Sequence, residues 1–160
     1  MKLRNKNLKI LKSNHIYSEE MEHDACGVGL VASTEGLKSR KVVEYGIDAL
    51  KAVWHRGAID ADGKTGDGAG IHIEIPKDFF EEKIEVTGHK HDNSELCVGM
   101  IFLPRNDYSA QEQCRTIVES ELTKRNFSIY GWRQVPVDPS VLGDKAEQTR
   151  PEITQVLFTY

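Results

Sequence analysis

The sequence predicts an α+β fold, with helices layered on a sheet, and three observations lead there. Apolar residues recur with strand periodicity in several short runs and with helical periodicity in two, giving the order β-α-β-β-α-β-β. That order lacks the regular alternation of βαβ units. The composition, 39% hydrophobic and 29% charged over 160 residues, is that of one ordinary globular domain with room for a core.

The first expected strand is Cys26–Ser33. Cys26, Val28, Leu30 and Ala32 point to one face, Gly27, Gly29, Val31 and Ser33 to the other. After a turn, "TEGLKS", a helix is expected over about Ser39–His55, where Val43, Ile47, Leu50 and Trp54 form one apolar stripe. A glycine-dense loop, "HRGAIDADGKTGDGAG", leads to a short strand, "IHIEI". The interval from Lys77 to Glu95 reads as a charged loop, and "ELCVGMIFL" as a buried strand closed by Pro104. In the second helix Ser109 and Glu112 form a capping box, and Cys114, Ile117, Val118 and Leu122 form the inner face. A strand, "SIYGWRQVPV", a turn-rich stretch, "DPSVLGDKAEQTRP", and a final strand, "TQVLFTY", complete the order. An apolar strand at the last residue suggests a piece of a longer fold.

A net charge of -4, with no basic face interleaved with aromatics, argues against nucleic acid as a partner. No window approaches the roughly 18 apolar residues of a spanning helix, so no membrane partner is expected. Three cysteines, Cys26, Cys97 and Cys114, with no CxxC pairing and no secretory signal, argue against a disulfide framework. The expected location is therefore cytoplasmic. Residues 1–25 carry five basic and four acidic side chains and lack the continuous apolar stretch of a signal peptide. They read as a leader to a domain spanning 26–160.

Several motifs resemble binding sites without fitting them. "GVGLVA" has the letters of a dinucleotide fingerprint but sits inside a strand pattern rather than opening a helix. "GKT" lacks the upstream glycine of a phosphate-binding loop and leads to a strand. "DADG" lacks the other oxygen ligands of a calcium loop. His89 and His91 form an HxH pair in a polar loop without partners at ligand spacing, so they are expected to be solvated and no metal is expected. Cys97, Cys114, Trp54 and Trp132 read as packing residues.

Cys26 is different because it stands where the polar leader meets the first apolar run. The nucleophile is the thiolate, and a free Cys has a pKa near about 8.5, so something must take the proton. An N-terminal Cys needs no second side chain, since its own α-amine, with a pKa near about 7.7, serves as the base. That requires removal of residues 1–25, and the small Ala25 before Cys26 suits a propeptide boundary. Gly27 and Gly29 would leave room for substrate beside the sulfur. A buried structural Cys is the other reading of the same residues.

The blocks "HDACGVGLVAS", "ALKAVWHRGAIDADGKTGDGAGIHIEIP" and "RQVPVDPSVLGDKAEQTRPEITQVLF" resemble, in order, the N-terminal class II glutamine amidotransferase domain of the glutamate synthase large subunit. The resemblance implies the N-terminal part of a four-layer αββα sandwich of the N-terminal-nucleophile hydrolase type. It implies Cys26 as the catalytic nucleophile on L-glutamine, with ammonia passed on to 2-oxoglutarate, and Arg56 and Gly27 as support beside it. It also implies FMN and an iron–sulfur cluster in the full-length enzyme but no cofactor in this part. The implied partners are the remaining synthase domains, with a small NAD(P)H-oxidising subunit or ferredoxin. The glycines of Gly66–Gly70 would let a loop pack closely on the nucleophile strand. The family's Asn-Gly oxyanion pair has no counterpart in these 160 residues, and substrate-gripping residues are expected downstream of Tyr160. The chain alone is thus expected to be a poor glutaminase. A non-catalytic module retaining the fold, or a class II amidotransferase with another ammonia acceptor, are the alternatives.

Overall fold

The computed structural model describes residues 27–66, 68–91 and 94–160, with positions 6, 9, 10 and 13. The chain divides into two units, Met1–Gly57 and Ala58–Tyr160.

In the first unit, helix α1 is Arg40–Ala52. Ser39 caps it, its side-chain oxygen accepting the Lys41 N–H at 3.2 Å, which satisfies one donor that the first turn leaves open. A single 3-10 turn, Trp54–Arg56, follows. Val43, Ile47 and Leu50 are half-buried, as their spacing predicts, but Trp54 is exposed. The α-helix ends at Ala52, so Trp54 no longer shares the rotation of the stripe. The turn after Ser33 forms as expected, with Gly36 at φ 66° donating its N–H to the Ser33 carbonyl. The expected first strand does not: Gly27–Ser33 has no ladder partner among the described residues, and Val28 and Leu30 are exposed. Alternation specifies a face, but a strand also needs a neighbouring edge.

The second unit is built on a three-stranded antiparallel sheet of order β1-β3-β2, with β1 Leu96–Leu103, β2 Ser128–Gln134 and β3 Glu152–Thr159. β3 is central, with Leu96 opposite Thr159 and Leu103 opposite Glu152 on one side. On the other side, Ile129 faces Phe158 and Gly131 faces Leu157, leaving Tyr130 as the extra residue of a bulge. Gly131 has φ 149°, and a Cβ there would lie 3.0 Å from Thr87 Cγ2, so no other residue fits without strain.

Helix α2, Lys77–Val86, replaces the charged loop expected there. Only Phe80 and Ile84, one turn apart, are buried, so the charges of the remaining residues hide the periodicity. They pack with Leu96, Tyr130 and Leu157, and with Ile75 and Val98 at the margin, to form the core. The run "IHIEI" contributes Ile75 alone. Ile71 and Ile73 are exposed and unladdered, because the chain turns at Pro76 into α2 rather than joining a sheet edge.

Helix α3, Tyr108–Lys124, lies on the other face, where Val156 and Trp132 pair. Arg115 stands over the Trp132 ring, and Trp132 Nε1 donates to Glu119 at 2.6 Å. Its cap is Asp107 rather than Ser109: the Asp107 carboxylate accepts the Ala110 N–H at 2.9 Å, two residues earlier than expected. Glu112, freed from the expected capping box, pairs with Arg115 at 2.5 Å. Gln111 is the buried residue, its amide donating to the Pro104 and Arg105 carbonyls. Ile117 is exposed because it falls about 120° from Gln111 around the helix.

Within the expected turn-rich stretch lie a 3-10 turn, Pro139–Val141, and helix α4, Asp144–Thr149. Glu147 of α4 binds both Arg105 and Arg150, and the Arg150 hydrogen bond, then Arg105, holds its carboxyl below the usual range. Among the described residues no helix is long and apolar enough to cross a membrane. Leu157 is fully buried at the centre of the core, so Leu157→Ala is expected to destabilise the sheet by about 2–5 kcal/mol, read from the shift of the urea midpoint.

Candidate active site

Of the three residues the sequence singles out, the structure describes the surroundings of two in part. Cys26 lies outside the described residues, and for Arg56 only the backbone is described. Gly27 opens the largely exposed run that leads to α1. A Cβ on Gly29 would meet Ala49 Cβ of α1 at 4.0 Å, so the run passes that helix at this point. Arg56 ends the 3-10 turn after α1, closed by Gly57 N–H donating to the Trp54 carbonyl at 3.0 Å. Gly27 and Arg56 thus belong to one unit, at the two ends of the segment that contains α1.

The loop that continues "HRGA" lies in the second unit and is built by its own carboxylates. Ile59 and Gly66 form an antiparallel bridge, and Asp60 N–H donates to the Thr65 carbonyl at 2.7 Å. Gly63, at φ 70°, makes the return, a conformation glycine adopts without steric cost. The Asp62 carboxylate accepts from Lys64 N–H at 2.9 Å, Thr65 N–H at 2.7 Å and Thr65 Oγ1 at 2.5 Å. The Thr65 hydroxyl, then these amides, pull its carboxyl down to about 2. The amides that would cradle a phosphate are therefore already occupied by Asp62.

Two residues far along the chain complete this loop. Lys145 Nζ donates to Asp60 Oδ2 at 2.6 Å. Gly143 sits so close that a Cβ there would collide with Asp62 Oδ2 and Thr65 Oγ1 and lie 2.7 Å from Thr65 N. The "DGKT" letters signal the turn, but nothing in the local sequence points to Gly143 or Lys145. Gly66 is also at close approach, since a Cβ there would lie 3.0 Å from the Ala58 carbonyl oxygen, whereas a Cβ on Gly68 or Gly70 would meet nothing within 4 Å.

His91 is buried rather than solvated, with its side chain 5% exposed. Helix α2 brings Glu81 to its Nδ1 at 3.1 Å, and the Tyr130 ring lies 6.0 Å away. His89 instead faces Thr87 Oγ1 at 3.1 Å. Among the described residues no group of three or more His, Cys, Asp or Glu is placed to hold a metal ion. Cys97 and Cys114 are half-buried free thiols, and burial, then the Glu95 charge, raises the Cys97 pKa. Neither effect favours a Cys97 thiolate.

The Asp62 carboxyl supports this loop with its charge, so the sign of its pH dependence follows. Its pKa is depressed from 3.8 to about 2, so the contribution is complete above the unfolded value and is lost as pH falls through about 2. Titration followed by NMR at the Thr65 amide is expected to show a midpoint near 2, and Asp62→Asn is expected to abolish that transition.

The chain matches the family model of class-II glutamine amidotransferases over residues 26–160. It is 54% identical over 151 residues to the glutamate synthase [NADPH] large chain of Azospirillum brasilense, covering 94% of this chain and 10% of that protein. It is 37% identical to the ferredoxin-dependent glutamate synthase of Pyropia yezoensis, covering 92% and 10% respectively. It is 39% identical to the glutamate synthase [NADH] of Saccharomyces cerevisiae, covering 89% and 7%. The chain therefore spans about a tenth or less of the length of these relatives. With the match running through α1, the Asp62 loop and the whole sheet, the chain belongs to the class-II glutamine amidotransferases.

Proposed function

We propose that this chain is the N-terminal part of the glutaminase domain of a glutamate synthase, with Cys26 as its nucleophile. The observation that carries the proposal is that the family match begins at residue 26, the cysteine itself, and leaves residues 1–25 outside it. Hydrolysis of the Ala25–Cys26 bond makes Cys26 the first residue and frees its α-amine. The amine takes the thiol proton, and the thiolate attacks the side-chain amide carbon of L-glutamine. The tetrahedral adduct collapses to a γ-glutamyl thioester, and the proton held by the amine leaves with ammonia. The amine then deprotonates a water that attacks the thioester, releasing glutamate and restoring the thiol. Gly27, with no side chain, leaves space next to the sulfur. Arg56 offers a cation that favours thiolate over thiol.

In the complete enzyme the released ammonia would be transferred to 2-oxoglutarate and reduced to a second glutamate. FMN and an iron–sulfur cluster serve that chemistry. The described residues fit neither group: the Gly63–Thr65 turn is filled by its own carboxylate, and no cysteine cluster is present among them. Both groups, and the choice among NADPH, NADH and ferredoxin, are assigned to other regions or subunits of the longer protein. The second sheet of an αββα sandwich would lie beside the three-stranded sheet seen here, and the unladdered runs Gly27–Ser33 and Ile71–Ile75 carry the strand pattern such a sheet requires.

Intact-mass measurement of the purified protein is expected to show loss of residues 1–25. A glutamine-analogue electrophile is expected to label Cys26 with one equivalent, at a rate that rises with pH through about 7.7. Cys26→Ala should retain the leader and take no label. A chain that keeps residues 1–25 and leaves Cys26 unlabelled overturns the proposal.

A further inference from the structure

We draw no further inference here: the strongest candidate, the apolar patch of Phe79, Met100 and Phe102 left exposed on the α2 face of the sheet, carries nothing because nothing in the structure shows what covers it.

Discussion

Strand β3 is laddered on both edges, and the second unit depends on that double pairing. Each partner strand is about 20 to 60 residues away in sequence, so forming either ladder closes a long loop at an entropic cost. The return comes from burial on both faces. Val156 and Leu157 are adjacent in sequence and point to opposite sides, yet both are almost completely buried. Leu157 anchors the core under α2, while Val156 lies on the α3 side, so losing β3 would strip both helices of their support. The polar positions of the strand are matched as well. Thr154 Oγ1 donates to the Ile101 carbonyl at 3.5 Å, and Thr159 Oγ1 to the Glu95 carbonyl at 3.0 Å. A buried hydroxyl without such a partner would oppose the burial that holds the sheet.

That dependence explains which elements were legible in the sequence. β1, β2 and β3 read correctly because their apolar runs are dense, and α1 and α3 because their stripes extend over several turns. α2 was hidden, since two apolar contacts suffice when a sheet waits beneath, and eight of its ten residues face outward or sideways. The runs at 27–33 and 71–75 show the opposite failure, a strong period-2 pattern without a ladder. Periodicity reports which face a residue would bury; pairing depends on an edge elsewhere in the chain. The same distinction accounts for the caps. Ser109 and Glu112 satisfy the local signature, but Asp107 stands closer to where Pro104 ends β1 and captures the helix first.

The candidate site was legible where chemistry is local and illegible where it is assembled. Cys26 stands out in the sequence where a polar stretch meets the first apolar run, and Arg56 through its place in the "HRGA" block. The Asp62 loop was seen only as a run of turn residues, because Gly143 and Lys145, about 80 residues away, decide its packing. Of the three cysteines, Cys97 and Cys114 sit in or beside the sheet, and Cys97 is pushed away from thiolate. Neither sits beside a freed α-amine, so the proposed chemistry has one candidate sulfur.

The Asp62 loop is ordered by contacts made within the second unit. A catalytic surround works best when its parts hold their shape before substrate arrives. In the Asp62 loop the Ala61, Lys64 and Thr65 amides are taken by carboxylates of the same loop, and the Asp60 and Gly63 amides by its carbonyls. Lys145 and the bare backbone of Gly143 then fasten it to the segment leading into α4. No ligand is required to order it. The glycines of "DGKTGDGAG" are therefore better understood as conditions for a rigid turn and a close approach than as an anion site. Gly63 supplies the left-handed return, Gly66 the contact with Ala58, and Gly143 the seat.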